Sequence, residues 1–335
     1  MRLANKTPMK LDKERERFLN RALDFLWRQW SDLGVAGSAD GKDFWVIDPE
    51  ALVLVTTTFG RHDPRLFDEV LDWLSTNSHL VNIQRLQNMA LHFGQRSVLN
   101  GMAAHLAGRS INGKWRAFLR DAKPVTNLEI LFPGVPVLGG VDELFAEHGW
   151  KRGPVKLRHL SQSPDPNRAT SLLMKLRSLL GVQARAEVMA YLLTCESAHP
   201  AQMAEHLAYF PRTIQTTLND MERSGHVLAN WQGREKRFWL RRDEWRFLIT
   251  WQAPEREFPR WIDWASRFAA MEALWQFLSK PELESAPPGV QAIELRASLD
   301  RMSAAFLREH IKTPPGVSGS EFVESVLDDF NKLLV

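Results

Sequence analysis

Cysteine is almost absent: Cys195 is the single thiol in 335 residues. That excludes an internal disulfide and a multi-thiolate metal site, and it fits a reducing compartment. With no cationic neighbour in the sequence, Cys195 reads as a small hydrophobe at a helix end rather than a redox sensor. Long apolar runs are also missing, since no stretch approaches the roughly twenty residues needed to cross a bilayer. Met1 to Arg17 alternates bases and acids without an apolar centre, so no signal peptide is expected. The expectation is a cytoplasmic protein with no membrane partner. Net charge is small, because 43 Lys and Arg against 40 Asp and Glu leave +3. Such a total does not identify a nucleic-acid binder, so the position of the charge has to carry that argument.

Catalytic signatures are missing too. There is no phosphate loop, dinucleotide fingerprint or zinc-protease helix motif. Gly316-Val317-Ser318-Gly319-Ser320 lacks the last glycine of a nucleophile elbow. His199 and His206 lie close together, but nothing supplies a third and fourth ligand at a metal-site spacing. No catalytic residue, metal or cofactor is therefore expected. What the chain does have is 44% hydrophobic residues, ample for packed cores, and a length that suggests two or three domains.

The richest stretch runs from Val182 to Leu240. Ala184, Val188 and Leu192 share one stripe of a first helix. Pro200, tolerated at a first helical position, opens a second that turns Met203, Ala204 and Leu207 inward. After Tyr209-Phe210-Pro211 a third helix buries Ile214, Leu218 and Met221. That leaves Arg212, Thr213, Gln215, Thr216 and Asn219 on the opposite side, with guanidinium, amide and hydroxyl groups suited to base edges and phosphates. Ser224-Gly225 ends the helix. Val227 to Trp231 and Lys236 to Leu240 then read as two strands of a hairpin whose tip carries Arg234, Lys236 and Arg237 against one acid, Glu235. A basic tip beside such a helix suits a phosphate backbone.

In Arg185 to Leu193, Gln202 to Leu207 and Thr213 to Gly225, this stretch resembles the winged helix-turn-helix domains of the MarR and ArsR classes of bacterial transcriptional regulators. The resemblance covers residues 182–242. It implies a sequence-specific regulator that binds double-stranded DNA, acts as a homodimer, and responds to a small-molecule or protein effector. A winged helix also docks on proteins, so an interaction or antitoxin-like adaptor is the alternative.

The remaining residues read as mainly helical. Leu19, Ala22, Leu23, Leu26, Trp30 and Leu33 form a stripe that ends at Gly34. Asp48-Pro49 and Asp63-Pro64 each place a capping carboxylate before a proline, opening helices through Leu52 to Val55 and Leu66 to Leu74. Two further patterns follow, on Ile83, Leu86, Met89 and Ala90, then on Val98, Met102 and Leu106. With the preceding helix they fit a second helix-turn-helix or a plain packed module. Prolines and glycines between Lys123 and Pro164 indicate a connector with a small β element, and the polar run 161–167 precedes a helix through Leu172, Leu173, Leu176 and Leu180.

Toward the end, Trp261, Trp264, Phe268, Met271, Trp275 and Leu278 repeat at helical steps, as do Leu295, Leu299, Met302 and Phe306. Both runs suit either an internal core or a dimer surface. Ser318 and Glu321 stand at capping-box spacing before a last helix with Phe322, Val326, Phe330 and Leu333. The fold class expected is mainly α with a small β component. The expected divisions are 1–121 helical, 122–167 connector, 168–250 winged helix and 251–335 helical. One enzyme reading competes: Gly37-Ser38 followed by Asp48 and Glu50 has the order of a metal-dependent nucleotidyltransferase.

Overall fold

The computed structural model describes residues 10–37, 43–108, 113–120, 122–123, 125–251, 257–312 and 316–334. It is mainly helical, with a two-stranded antiparallel sheet and a minimal parallel pair. The chain forms two compact units, one from the residues up to Leu26 together with those from Trp264, the other Trp27–Asp263. Helix α1 (Leu11–Asp32) contributes its first part to one and its end to the other. Its buried face is rotated from the expected stripe. Phe18, Ala22, Phe25, Leu26, Trp30 and Leu33 are buried whereas Leu19 and Leu23 are half-buried, because the bulkier aromatic rings take the interior.

In the larger unit, α2 (Pro49–Phe59) is buried along its whole length, as a helix apolar on nearly every side must be. Its threonines are satisfied internally: Thr56 Oγ1 donates to the Leu52 carbonyl at 2.7 Å and accepts from Trp30 Nε1 at 2.9 Å. The expected caps are present. Asp48 Oδ1 accepts from the Glu50 and Ala51 amides at 3.1 Å, and Asp63 Oδ1 accepts from the Leu66 amide at 3.0 Å to open α3 (Pro64–Asn77). Helices α4 (Ile83–Met89) and α5 (Arg96–Ala107) follow. Strand β1 (Glu129–Ile130) then pairs in parallel with β2 (Trp150–Lys151) across the short helix α6 (Glu143–Ala146). Phe132 and Phe145 from this region pack edge-on against Phe67 of α3, with ring centroids 5.5 and 6.0 Å away.

The polar run 161–167 lies inside this unit. The amides of His159, Leu160 and Ser161 all donate to the buried Asp72 carboxylate at 3.0 Å. Gln162 bonds to the backbone of Gly34, whose φ of +100° and lack of a Cβ allow that approach. The chain thus passes this point without leaving the compact unit, and continues as α7 (Leu172–Leu180), α8 (Ala184–Thr194), α9 (Pro200–Leu207) and α10 (Pro211–Arg223). Strands β3 (Leu228–Gln232) and β4 (Glu235–Trp239) close it as an antiparallel hairpin.

A buried ionic cluster joins these helices. Arg85 of α4 donates from Nη1 to Asp48 Oδ1 and Glu50 Oε2, both at 2.7 Å, from Nη2 to Asp48 Oδ2, and from Nε to the Leu207 carbonyl at 2.7 Å. Arg177 of α7 reaches Glu50 and also Glu187 of α8, with 2.5 Å between Nη2 and Glu187 Oε1. All five side chains are at most 4% exposed. Charges removed from water this thoroughly are tolerable only when paired and hydrogen-bonded; each of the five makes such a bond, while Glu187 Oε2 has no hydrogen-bond partner among the described residues. Burial pushes the Glu187 carboxyl above its usual range despite its two guanidinium neighbours.

The smaller unit contains α11 (Trp264–Leu278), α12 (Pro288–Leu299), α13 (Ala304–His310) and α14 (Gly319–Leu333). Trp264, Phe268, Met271, Leu278, Leu295, Leu299 and Phe306 are buried in the chain's own interior, and Trp275 and Met302 are half-buried. Of the two readings for these helices, core packing accounts for the buried set, and those rings are not available to a second subunit. Phe25 and Trp264 lie 5.8 Å apart, and Trp264 stacks on Phe268 at 5.3 Å. Ser318 occupies the N-cap position of α14, but its side chain makes no capping hydrogen bond, so the expected capping box does not form.

Candidate nucleic-acid interface

Helix α9 ends on Ala208, held at φ +55° in the left-handed region, and a three-residue turn leads into α10. That region is costly for a side chain with a Cβ, so something must compensate. Outside contacts hold the turn: Asn82 Nδ2 donates to the Tyr209 hydroxyl at 2.7 Å, Asn88 Nδ2 to the Ala208 carbonyl at 3.4 Å, and Arg85 Nε to Leu207. The turn into α10 is therefore held by Arg85 and Asn88 of α4 and by its N-cap residue Asn82.

Pro211 and the spacing of Ile214 and Leu218 explain why α10 forms and which way it faces. The proline fits the first helical position, and the two aliphatic side chains, fully buried, seat the helix on α8 and α9. Met221, expected on the same face, is half-buried. On the far side Arg212, Thr213 and Thr216 are exposed. Gln215 and Asn219 are half-buried and bonded to each other, Nε2 to Oδ1 at 3.0 Å, one helical turn apart. Arg212 forms no ion pair with any described residue.

The hairpin follows the expected pattern with each strand displaced by one residue, and its cations divide into two groups. Arg234 is exposed at the tip and has no ion-pair partner among the described residues. Lys236 instead donates to Glu222 Oε2 of α10 at 2.5 Å and lies 5.0 Å from the centre of the Phe238 ring. Arg237 bonds to Ser197 Oγ at 3.1 Å and to the Ser197 carbonyl at 3.3 Å, and pairs with Glu235 at 3.7 Å. Lys236 and Arg237, expected to be free for phosphate, thus tie the hairpin to α10 and to the loop before α9. The tie extends through the backbone, where Ala198 and Phe238 exchange two hydrogen bonds of 2.9 Å. Reading the sequence missed Trp231 and Phe210, which are 70% and 64% exposed around this surface. The available signal was an aromatic residue placed among cations.

Beside α10, a cavity of about 370 Å³ is lined by Leu180, Arg185, Met189, Met221, His226 and Trp245. Cys195 sits at the end of α8, and burial pushes its thiol above the usual range, opposite to what a reactive thiolate needs. Asp48 and Glu50, the carboxylates of the nucleotidyltransferase reading, accept hydrogen bonds from Arg85 and Arg177 inside the protein. Their oxygens neutralise guanidinium groups rather than facing an open site, and Ser38 of that reading lies outside the described residues. No group of histidine, cysteine, aspartate and glutamate among the described residues has a metal-binding arrangement. No described helix is long and apolar enough to cross a membrane. No protein-family model, no curated protein and no solved structure matches this chain.

Proposed function

We propose that residues 184–240 are a winged helix that binds double-stranded DNA, and that the protein regulates transcription through it. One observation carries this reading. Arg212, Thr213 and Thr216 stand exposed on the side of α10 away from its buried Ile214 and Leu218, next to a hairpin whose tip holds the unpaired Arg234. A polar helix face with a free guanidinium matches the donors and acceptors of a major groove, and a cation at a hairpin tip suits the flanking phosphates. The cavity against α10 is a natural seat for an effector, since a ligand there touches the helix that reads the groove.

Fluorescence anisotropy of the full chain with labelled duplex DNA at two salt concentrations tests the proposal. Binding that weakens with salt and is lost on combined substitution of Arg212 and Arg234 supports it; undiminished binding in that double variant refutes the surface assignment. A second reading, a protein-interaction adaptor, is favoured by the exposed Val125, Ile130, Val135, Leu138, Val141 and Leu144 within one stretch of chain. Co-purification of a stoichiometric protein, with no duplex binding, would select it.

A further inference from the structure

Among the described residues, Trp231 is the one tryptophan left largely in solvent; the others are buried or half-buried. Its position in the hairpin is specific. Residues directly opposite in an antiparallel pair share a face, so Ala229 with Phe238 and Trp231 with Lys236 all lie on one side. Phe238 is fully buried on that side, and Lys236 reaches across to Glu222 of α10. Trp231 is therefore the next inner-face position beyond the end of the core, where the face continues but the protein beneath it stops. Arg234 follows at the tip without an ion-pair partner.

An exposed indole opposite Lys236 in the register and three residues before the unpaired Arg234 suits a polyanion whose interior is a stack of aromatic rings. In an intact duplex those rings are reachable only where a step opens, and apolar side chains that wedge into such steps kink the helix. We propose, building on the DNA-binding reading above, that Trp231 inserts its indole at a weakly stacked step of the bound duplex. The protein then selects sites by deformability as well as by base edges.

The test compares the full chain on a duplex of about 30 base pairs, roughly three helical turns, with the same duplex carrying one central mismatch, and with the single strand. The wild-type protein is expected to bind the mismatched duplex roughly tenfold more tightly, because the mismatch removes part of the unstacking cost. Trp231→Ala should bring that ratio close to one, and Trp231→Phe should retain part of it. Arg234→Ala should weaken binding to both duplexes and leave the ratio unchanged. Trp231 is exposed, so circular dichroism of its variants should overlay the wild type. A wild-type ratio of one, or a ratio that survives Trp231→Ala, overturns the wedge while leaving duplex binding standing. Trp231-dependent binding to the single strand alone overturns the wedge and the duplex reading together, as does a failure to bind any of the three probes.

Discussion

Arg177 and Glu50, 127 positions apart in the chain, meet in a two-pronged ion pair, Nη1 to Oε1 at 2.8 Å and Nη2 to Oε2 at 2.7 Å. Neither side chain reaches solvent. The pair joins α7, the helix before residues 184–240, to α2, which is buried along its whole length.

Arg177→Met should destabilise the protein by about 3–5 kcal/mol, because it leaves Glu50 and Glu187 inside without their shared counter-charge. Urea midpoints with unchanged slope measure this. The triple variant Arg177→Met, Glu50→Gln, Glu187→Gln should recover a large part of the loss, since the penalty comes from unpaired charge rather than from lost volume.

Asp48 gives the cluster a pH signature. Burial alone would raise its carboxyl, but the charge and hydrogen bonds of Arg85, with the Ala51 amide, outweigh burial and hold it below the usual aspartate range. A carboxyl lowered in the folded state binds fewer protons there than in the unfolded chain. Its contribution is complete above the ordinary aspartate pKa of about 3.9 and is lost as pH falls through the lower folded value. Asp48→Asn should therefore cost about 3 kcal/mol at neutral pH, with the gap to wild type narrowing in acid below the ordinary value. A gap that stays constant with pH would rule out this origin.

Gly101 in α5 should reverse the usual helix rule. Glycine to alanine inside a helix ordinarily stabilises by roughly 0.5–1 kcal/mol. Here an added Cβ would lie 2.6 Å from Cδ1 and 2.9 Å from Cε1 of Phe145, whose ring is fully buried. Gly101→Ala should thus lower stability by about 1–3 kcal/mol, and Phe145→Leu in the same chain should relieve part of the strain.

At the proposed DNA surface, three arginines should behave differently. Arg212→Ala should cost about 1–3 kcal/mol on a preferred site and relax base preference. Arg234→Ala should weaken all duplexes and reduce the salt slope by about 1. Arg237→Ala should instead loosen the hairpin's attachment to Ser197, lowering stability by about 1 kcal/mol without the same change in salt slope. A salt slope reduced equally by Arg234→Ala and Arg237→Ala would contradict the division seen here.

Local signals in the sequence located the elements well. The two Asp-Pro dipeptides form caps, Pro200 opens a helix, the helix expected after Pro211 begins at that proline, and the hairpin is displaced by one residue in each strand. The interior of α1 was less legible. Leu19 and Leu23 satisfy the helical period nearly as well as Phe18 and Phe25, and only the shape of the surrounding core decides between them. Asp48 and Glu50 read as candidate metal ligands in the sequence, because nothing nearby in the chain reveals Arg85 or Arg177 as their partners. Lys236 and Arg237 look like free cations in the chain; Glu222 and Ser197 engage them only once the hairpin folds back.

The bond from Arg85 to the Leu207 carbonyl limits how residues 182–242 can be used on their own. Excised at Gly181, residues 182–242 would lose the guanidinium that satisfies the end of α9, the partner of Glu187, and the asparagines that hold the turn into α10. It is not a portable cassette. Its geometry is borrowed from residues that precede it in the chain, so transplanting it to another scaffold would require α2, α4 and α7 to travel with it.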